Sequence, residues 1–348
     1  MSRIAVVLLN LGGPDSLDAV RPFLLNMFSD KAILGVPQPM RFLLARFIAR
    51  KRAPVARAIY EELGGGSPLL PNTEAQARAL ETSLADLGEV RAFVCMRYWK
   101  PRSGDVATAV KAFNPDRIVL LPLYPQYSTT TSASSLADWA QAAAVVGLDA
   151  PSRAICCYPQ AEGWIETLAE LLRAGYREAS EEGVPRVLFS AHGLPKRVVE
   201  GGDPYQWQVE RTAAAVAEKS GLSGLDWVVC YQSRVGPLEW IGPSTEDELA
   251  RAGGGRAPVV VVPIAFVSEH SETLVELDIE YRELADSLGI PAYVRVPAVA
   301  EHPAFIGALA DLVRGRLADG PALDSGPGRR ICPAACARCP LPEPGPGA

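Results

Sequence analysis

Of the 348 residues only three are histidine, and no apolar run reaches the roughly 18 residues that a membrane-spanning helix needs. Basic residues are not in excess: 34 Lys and Arg stand against 40 Asp and Glu, a formal charge of −6. No long basic face is available to neutralise phosphates, which argues against a nucleic-acid partner. Four motifs are missing: a Gly-x-Gly-x-x-Gly turn after a strand, a Walker loop, a His-Glu-x-x-His helix and a nucleophile elbow. Nucleotide, dinucleotide, metalloprotease and serine-hydrolase readings therefore have no support. The seven cysteines lack a secreted disulfide spacing. The apolar run 4–9 is too short for a signal peptide and is followed by Asn10-Leu11-Gly12-Gly13-Pro14, so a cytoplasmic location is expected.

Hydrophobic residues make up 48% of the chain and charged ones 21%, the balance of a folded protein. Short apolar runs at 4–9, 91–96, 117–121, 186–190, 226–230, 259–263 and 292–296 read as buried parallel strands. Helical patterns separate them: from Ser16, then at 72–87, 104–113, 133–146, 162–180, 206–218, 271–286 and 303–316. Ile118–Pro122 with its following turn parallels Val259–Pro263 with its own, and Phe93–Tyr98 parallels Val228–Gln232. The pattern predicts an α/β protein of two similar Rossmann-like halves, parallel sheets flanked by helices, with a central cleft at the strand ends. Domains are expected at 1–150 and 151–318, with a Pro-, Gly- and Cys-rich tail at 319–348. Around 33–53 apolar and basic residues interleave at helical spacing, a pattern that suits either a core-packed surface helix or one laid on an anionic membrane.

Candidate chemistry gathers past the strand ends. His192 closes Val187-Leu188-Phe189-Ser190-Ala191-His192-Gly193, where an imidazole can accept a proton or ligate a metal. In Ser268–Glu280, Glu272, Glu276 and Glu280 fall four residues apart along one side of a helix, a repulsive arrangement suited to cations or protons. Arg97-Tyr98-Trp99, Tyr124, Tyr127 and Trp240 offer aromatic walls and a guanidinium for a flat anionic ligand. In the tail, Cys332, Cys336 and Cys339 predict a soft-metal site, iron-sulfur or zinc, with Cys156 or Cys157 as the fourth donor. Cys95 and Cys230 read as buried strand residues.

Taken in order, Asn10–Pro14, Arg97–Trp99, Leu123–Ser128, Ser190–Pro195, Tyr231–Pro237 and Pro263–Tyr281 resemble the ferrochelatases over about residues 3–316. The resemblance implies a lyase of haem biosynthesis that inserts ferrous iron into a porphyrin, protoporphyrin IX first and coproporphyrin second. A related cobalt or nickel chelatase and a non-catalytic tetrapyrrole carrier are the alternatives. By motif, His192 and Glu272 match the catalytic pair, and Glu269, His270, Glu276 and Glu280 an iron path. Leu11, Arg97, Tyr98, Tyr124, Tyr127 and Trp240 match residues near the macrocycle. The segment 33–53 matches a hydrophobic lip, which implies peripheral contact with the inner membrane. Animal members take a cluster cysteine from the segment matching Tyr127–Thr131, where this chain has none. The resemblance to bacterial members thus implies a [2Fe-2S] cluster on Cys157 (or Cys156), Cys332, Cys336 and Cys339.

Overall fold

A computed structural model describes residues 2–318 and 320–343. The chain divides into two compact units, one of residues 1–123, 128–156 and 310–323, the other of 124–127, 157–309 and 324–348.

The first unit is built on β1 (Arg3–Asn10), α1 (Val20–Ser29), α2 (Met40–Glu62), α3 (Leu69–Ser83), β2 (Glu89–Met96), α4 (Ser103–Phe113), β3 (Arg117–Pro122), α5 (Ser132–Val146) and β4 (Ser152–Ile155). β1 pairs in parallel with β2 on one side and β3 on the other, and β3 with β4. Every residue of β1 from Ile4 to Asn10 is buried, as a strand covered on both faces requires. On one face Val106, Val110 and Phe113 of α4 and Trp139 of α5 pack on Val7, Leu9 and Leu120. A second apolar cluster joins Phe23 and Leu24 of α1 to Ala49 and Tyr60 of α2 and to Tyr98.

The second unit carries α6 (Glu162–Ala179), β5 (Arg186–His192), α7 (Lys196–Glu200), α8 (Tyr205–Ser220), β6 (Asp226–Gln232), α9 (Thr245–Gly255), β7 (Val259–Pro263), a π-helix (Glu272–Glu280) running into α10 (Tyr281–Ser287), and β8 (Tyr293–Arg295). α11 (Pro303–Leu317) leads the chain back into the first unit, and β9 (Leu323–Asp324) edges the first sheet. The sheet orders are β2-β1-β3-β4-β9 and β6-β5-β7-β8. In each, successive crossovers leave the first strand in opposite directions, so a switch point falls between β1 and β3 and between β5 and β7. The strand parallels read from the sequence, β2 with β6 and β3 with β7, occupy equivalent places in the two sheets.

One helix departs from its expected winding. Residues 272–280 coil as a π-helix of nine residues instead of an α-helix. The side-chain amide of Gln232 donates to the Glu272 carbonyl at 3.0 Å, supplying a partner from outside the helix in its first turn. Among the described residues no helix is long and apolar enough to cross a membrane.

Candidate active site

β5 and β7 lie side by side at the second switch point; β5 ends on His192 itself, and the segment after β7 leads to Glu272 at the start of the π-helix. His192 Nδ1 and Glu272 Oε2 are 2.8 Å apart. The same carboxylate oxygen is 3.8 Å from His270 Nε2. Burial alone would lower the His192 pKa, but the charge and hydrogen bond of Glu272, and the charge of Glu276, carry it above the ordinary value. For Glu272 burial acts upward; His192, His270 and Ser233 outweigh it and hold the carboxyl down to about 2. The pair is therefore an imidazole whose Nδ1–H faces a carboxylate, which leaves Nε2 as the nitrogen that exchanges protons. The His192 side chain is 38% exposed. Tyr205 braces the turn by donating to the His192 carbonyl at 3.1 Å.

Glu276 stands one turn on. Gln232 Nε2 donates to its Oε2 at 2.9 Å, the Ser233 backbone N–H to Oε1 at 2.7 Å, and the Ser233 hydroxyl also donates to Oε2. Burial and the neighbouring Glu272 nevertheless raise its pKa. Ser233 reaches this position with φ at 60°, in the left-handed region. Tyr281 donates toward Glu276 Oε1 at 3.2 Å and Glu246 Oε1 at 3.1 Å. Gln232, Ser233, Tyr205 and Tyr281 had no assigned role in the sequence. The available signal was register, since Gln232 lies directly beside His192 in the β5/β6 pair.

The other expected residues divide. His270 is buried, packs on Phe266 with ring centroids 4.6 Å apart, and has its pKa lowered by burial. Glu269 faces away: its Oε1 accepts from Arg295 Nη1 at 2.6 Å and the Ala298 N–H at 2.9 Å. Glu280 is exposed. Trp240 seats beside Gly193, where an added Cβ would stand 3.0 Å from the Gln232 carbonyl and 3.2 Å from the indole, so any side chain there must shift its neighbours by a few tenths of an ångström. Tyr124 is half-buried and Tyr127 buried in a segment pinned to the second unit, with Gln126 donating to Thr212 and to the Ile264 carbonyl and Gln208 accepting from the Tyr127 N–H.

In the first unit, Arg97 is committed inward, to Asp30 at 2.9 Å, Ser134 at 2.8 Å and Asp138 at 3.3 Å. The Tyr98 hydroxyl donates to the same Asp30 at 2.7 Å, and the Tyr98 N–H to the Leu11 carbonyl at 3.0 Å. Leu11 itself is half-buried, and Gly12 beside it has φ +85° with Met96 Cβ 3.0 Å from where its own Cβ would stand.

The expected [2Fe-2S] centre is not supported. Among the described residues no three His, Cys, Asp or Glu side chains converge to hold a metal ion, so neither Cys157 nor Cys156 completes a cluster with Cys332, Cys336 and Cys339. The thiols are engaged otherwise. Gln208 Nε2 donates to Cys332 Sγ at 3.1 Å and faces Cys157 Sγ at 3.5 Å. The hydrogen bond between Cys332 and Cys339, with burial, pushes the Cys332 thiol up, and the same bond brings Cys339 down to about 6. The tail is instead ordered by Arg330, whose guanidinium donates to the carbonyls of Cys332, Pro333, Cys336 and Leu341.

A family profile described as ferrochelatase matches residues 3–317. The ferrochelatase of Phenylobacterium zucineum is 53% identical over 340 residues, covering 97% of each chain. The chain belongs to the ferrochelatase family. A second ferrochelatase, from Caulobacter vibrioides, is 51% identical over 344 residues and 98% of each chain. Among solved structures, SirB from Bacillus subtilis with Fe3+ covers 90% of this chain and 95% of its own at TM-score 0.51 and 11% identity, a likeness of fold alone. Ferrochelatase chemistry, insertion of Fe2+ into a porphyrin to form haem, is a lyase reaction that expels two pyrrole N–H protons.

Proposed function

We propose that His192 accepts the pyrrole protons through Nε2, while Glu272 orients the ring and stabilises its protonated form. The observation that carries this reading is the 2.8 Å contact between His192 Nδ1 and Glu272 Oε2. It fixes the tautomer and leaves one nitrogen for chemistry. Fe2+ is a passing substrate here. We assign its approach to successive oxygen and nitrogen donors: exposed Glu280, then Glu276, then Glu272 with His270, whose lowered pKa keeps a lone pair available. Glu269, bound to Arg295, shapes this path without opening onto it.

The porphyrin is protoporphyrin IX in this reading, with Leu11, Tyr124, Tyr127 and Trp240 as ring contacts. Arg97 and Tyr98 act through position, supporting the Leu11 turn from below. A greasy ring favours delivery from lipid, and α2 suits that role. Met40, Leu43 and Phe47 lie on one side of it at 55%, 65% and 65% exposure, flanked by Arg46, Arg50 and Lys51. We infer that α2 lies on an anionic membrane surface.

The deciding experiment is anaerobic incubation with Fe2+ and either protoporphyrin or coproporphyrin, following loss of porphyrin fluorescence. Protoporphyrin is expected to be converted faster. His192→Ala is expected to bind porphyrin yet lose about 100-fold or more in rate; full activity in that variant would remove His192 from the reaction.

A further inference from the structure

A cavity of about 230 Å3 lies between α1 and α2, lined by Arg21, Pro22, Leu25, Arg46 and Ala49. Its floor is hydrocarbon, and its two charged groups are both guanidinium. Among the described residues neither Arg21 nor Arg46 forms an ion pair, whereas Arg57 farther along α2 is matched with Asp18 and Glu61. From Met40 to Tyr60 the helix carries Arg41, Arg46, Arg50, Lys51, Arg52 and Arg57 and no acid, in a chain whose formal charge is −6. The local field is thus opposite in sign to that of the molecule. Arg46 stacks over the Phe42 ring at 5.4 Å, which restrains one of the two forks.

Two unmatched guanidinium groups above an apolar floor fit an oxyanion that carries hydrocarbon, since arginine binds phosphate oxygens in a planar, two-pronged geometry. Position on the helix selects the source. Arg46 projects between the exposed ridge of Leu43 and Phe47 and the buried ridge of Ala45 and Ala49, the level at which a headgroup meets acyl chains when that ridge enters a bilayer. A free phosphate would satisfy the arginines and leave the neighbouring leucine and phenylalanine in water; a lipid covers both.

We propose that Arg21 and Arg46 form a binding site for the phosphate of an anionic phospholipid, with Leu25, Leu43 and Phe47 along its acyl chains. This rests on α2 lying on a membrane and names the lipid group it takes there.

The test uses the full-length protein. Cosedimentation is measured with phosphatidylcholine vesicles, with and without about one-fifth phosphatidylglycerol, for wild type, Arg21→Gln/Arg46→Gln and Arg50→Gln/Lys51→Gln. Calorimetry with dihexanoyl-phosphatidylglycerol below its micelle concentration, and with inorganic phosphate as competitor, reads the site without a bilayer. The first double variant is expected to lose about ten-fold or more in affinity for anionic vesicles and all binding of the soluble lipid. The second removes equal charge outside the cavity: it is expected to lose about thirty-fold on anionic vesicles through the general field and to keep wild-type binding of the soluble lipid. Equal losses of soluble-lipid binding in the two variants would replace the site by diffuse charge, and displacement by inorganic phosphate at equal concentration would make it a free-phosphate site; either overturns the proposal. Soluble-lipid binding without vesicle binding would refute the membrane reading and keep the site. Vesicle binding unchanged by Arg21→Gln/Arg46→Gln would do the reverse.

Discussion

The ordinary imidazole pKa is 6.5, and His192 sits above it because Glu272 and Glu276 outweigh burial. A neutral imidazole is needed to take a pyrrole proton, so insertion should rise as pH passes through that raised pKa. Replacing Glu276 by Gln removes one of the charges while burial stays, and the acidic limb of the kcat/KM profile is expected to move to lower pH. An unmoved limb would mean that another group sets it. The same pair links stability to pH. His192 contributes below about 6.5 and loses its contribution as pH rises through the folded pKa, whereas Glu272 contributes above about 4.5 and loses it as pH falls toward 2. The difference in urea midpoint between wild type and His192→Ala should therefore be widest between about pH 4.5 and 6.5 and shrink on both sides. At Ser233, Val is expected to cost about 1–2 kcal/mol by chemical denaturation, because a β-branched side chain resists φ near 60°, while Gly keeps the backbone N–H on Glu276.

At the scale of elements, Arg295 of β8 holds the segment that carries Glu272 at two points, Asp278 of the π-helix and Glu269 before it. Arg295→Met leaves both carboxylates without their cation, and a loss of about 3–5 kcal/mol is expected in urea unfolding followed by circular dichroism. Arg330→Ala should release the tail, read as faster proteolysis after residue 326 with the rest of the chain resistant. Much of this level was legible in advance. Short, unbroken, β-branched apolar runs such as Val259–Val262, stopped by proline on either side, read as strands covered on both sides, and their alternation with helices implies parallel sheets. The four-residue spacing of Glu272, Glu276 and Glu280 was legible, yet not the π winding of their segment, because the buried Thr273, Val275 and Leu277 fall at a spacing of two that marks no helix and the Gln232 side chain that bonds the first turn comes from another strand. Cysteine spacing misled for a related reason. Spacing along the chain places sulfurs near one another but says nothing of Gln208, a residue of α8 that takes up the hydrogen bonding of Cys332 and Cys157. The inward pairing of Arg97 was equally hidden, since Asp30 lies in the loop after α1 and Asp138 on α5.

At the scale of the molecule, the first unit is not finished by the first half of the chain. Its sheet and helices are closed by residues 310–323, with Arg314 bonded to the Ser83 carbonyl and to Asp86, and Arg117 bonded to the Leu317 carbonyl. A chain stopped after residue 309 is expected to yield a protease-sensitive, aggregating first unit even though β1 to β4 are all present, and limited proteolysis with mass mapping would show it. The same return of the chain imposes an order on synthesis. The second unit can be complete as a core while the first, translated earlier, still waits for its last piece, a delay of roughly 8–30 s at ordinary elongation rates. During that interval the apolar strands made first depend on chaperones or on their own partial sheet, so the nascent chain is most vulnerable at the end that left the ribosome soonest.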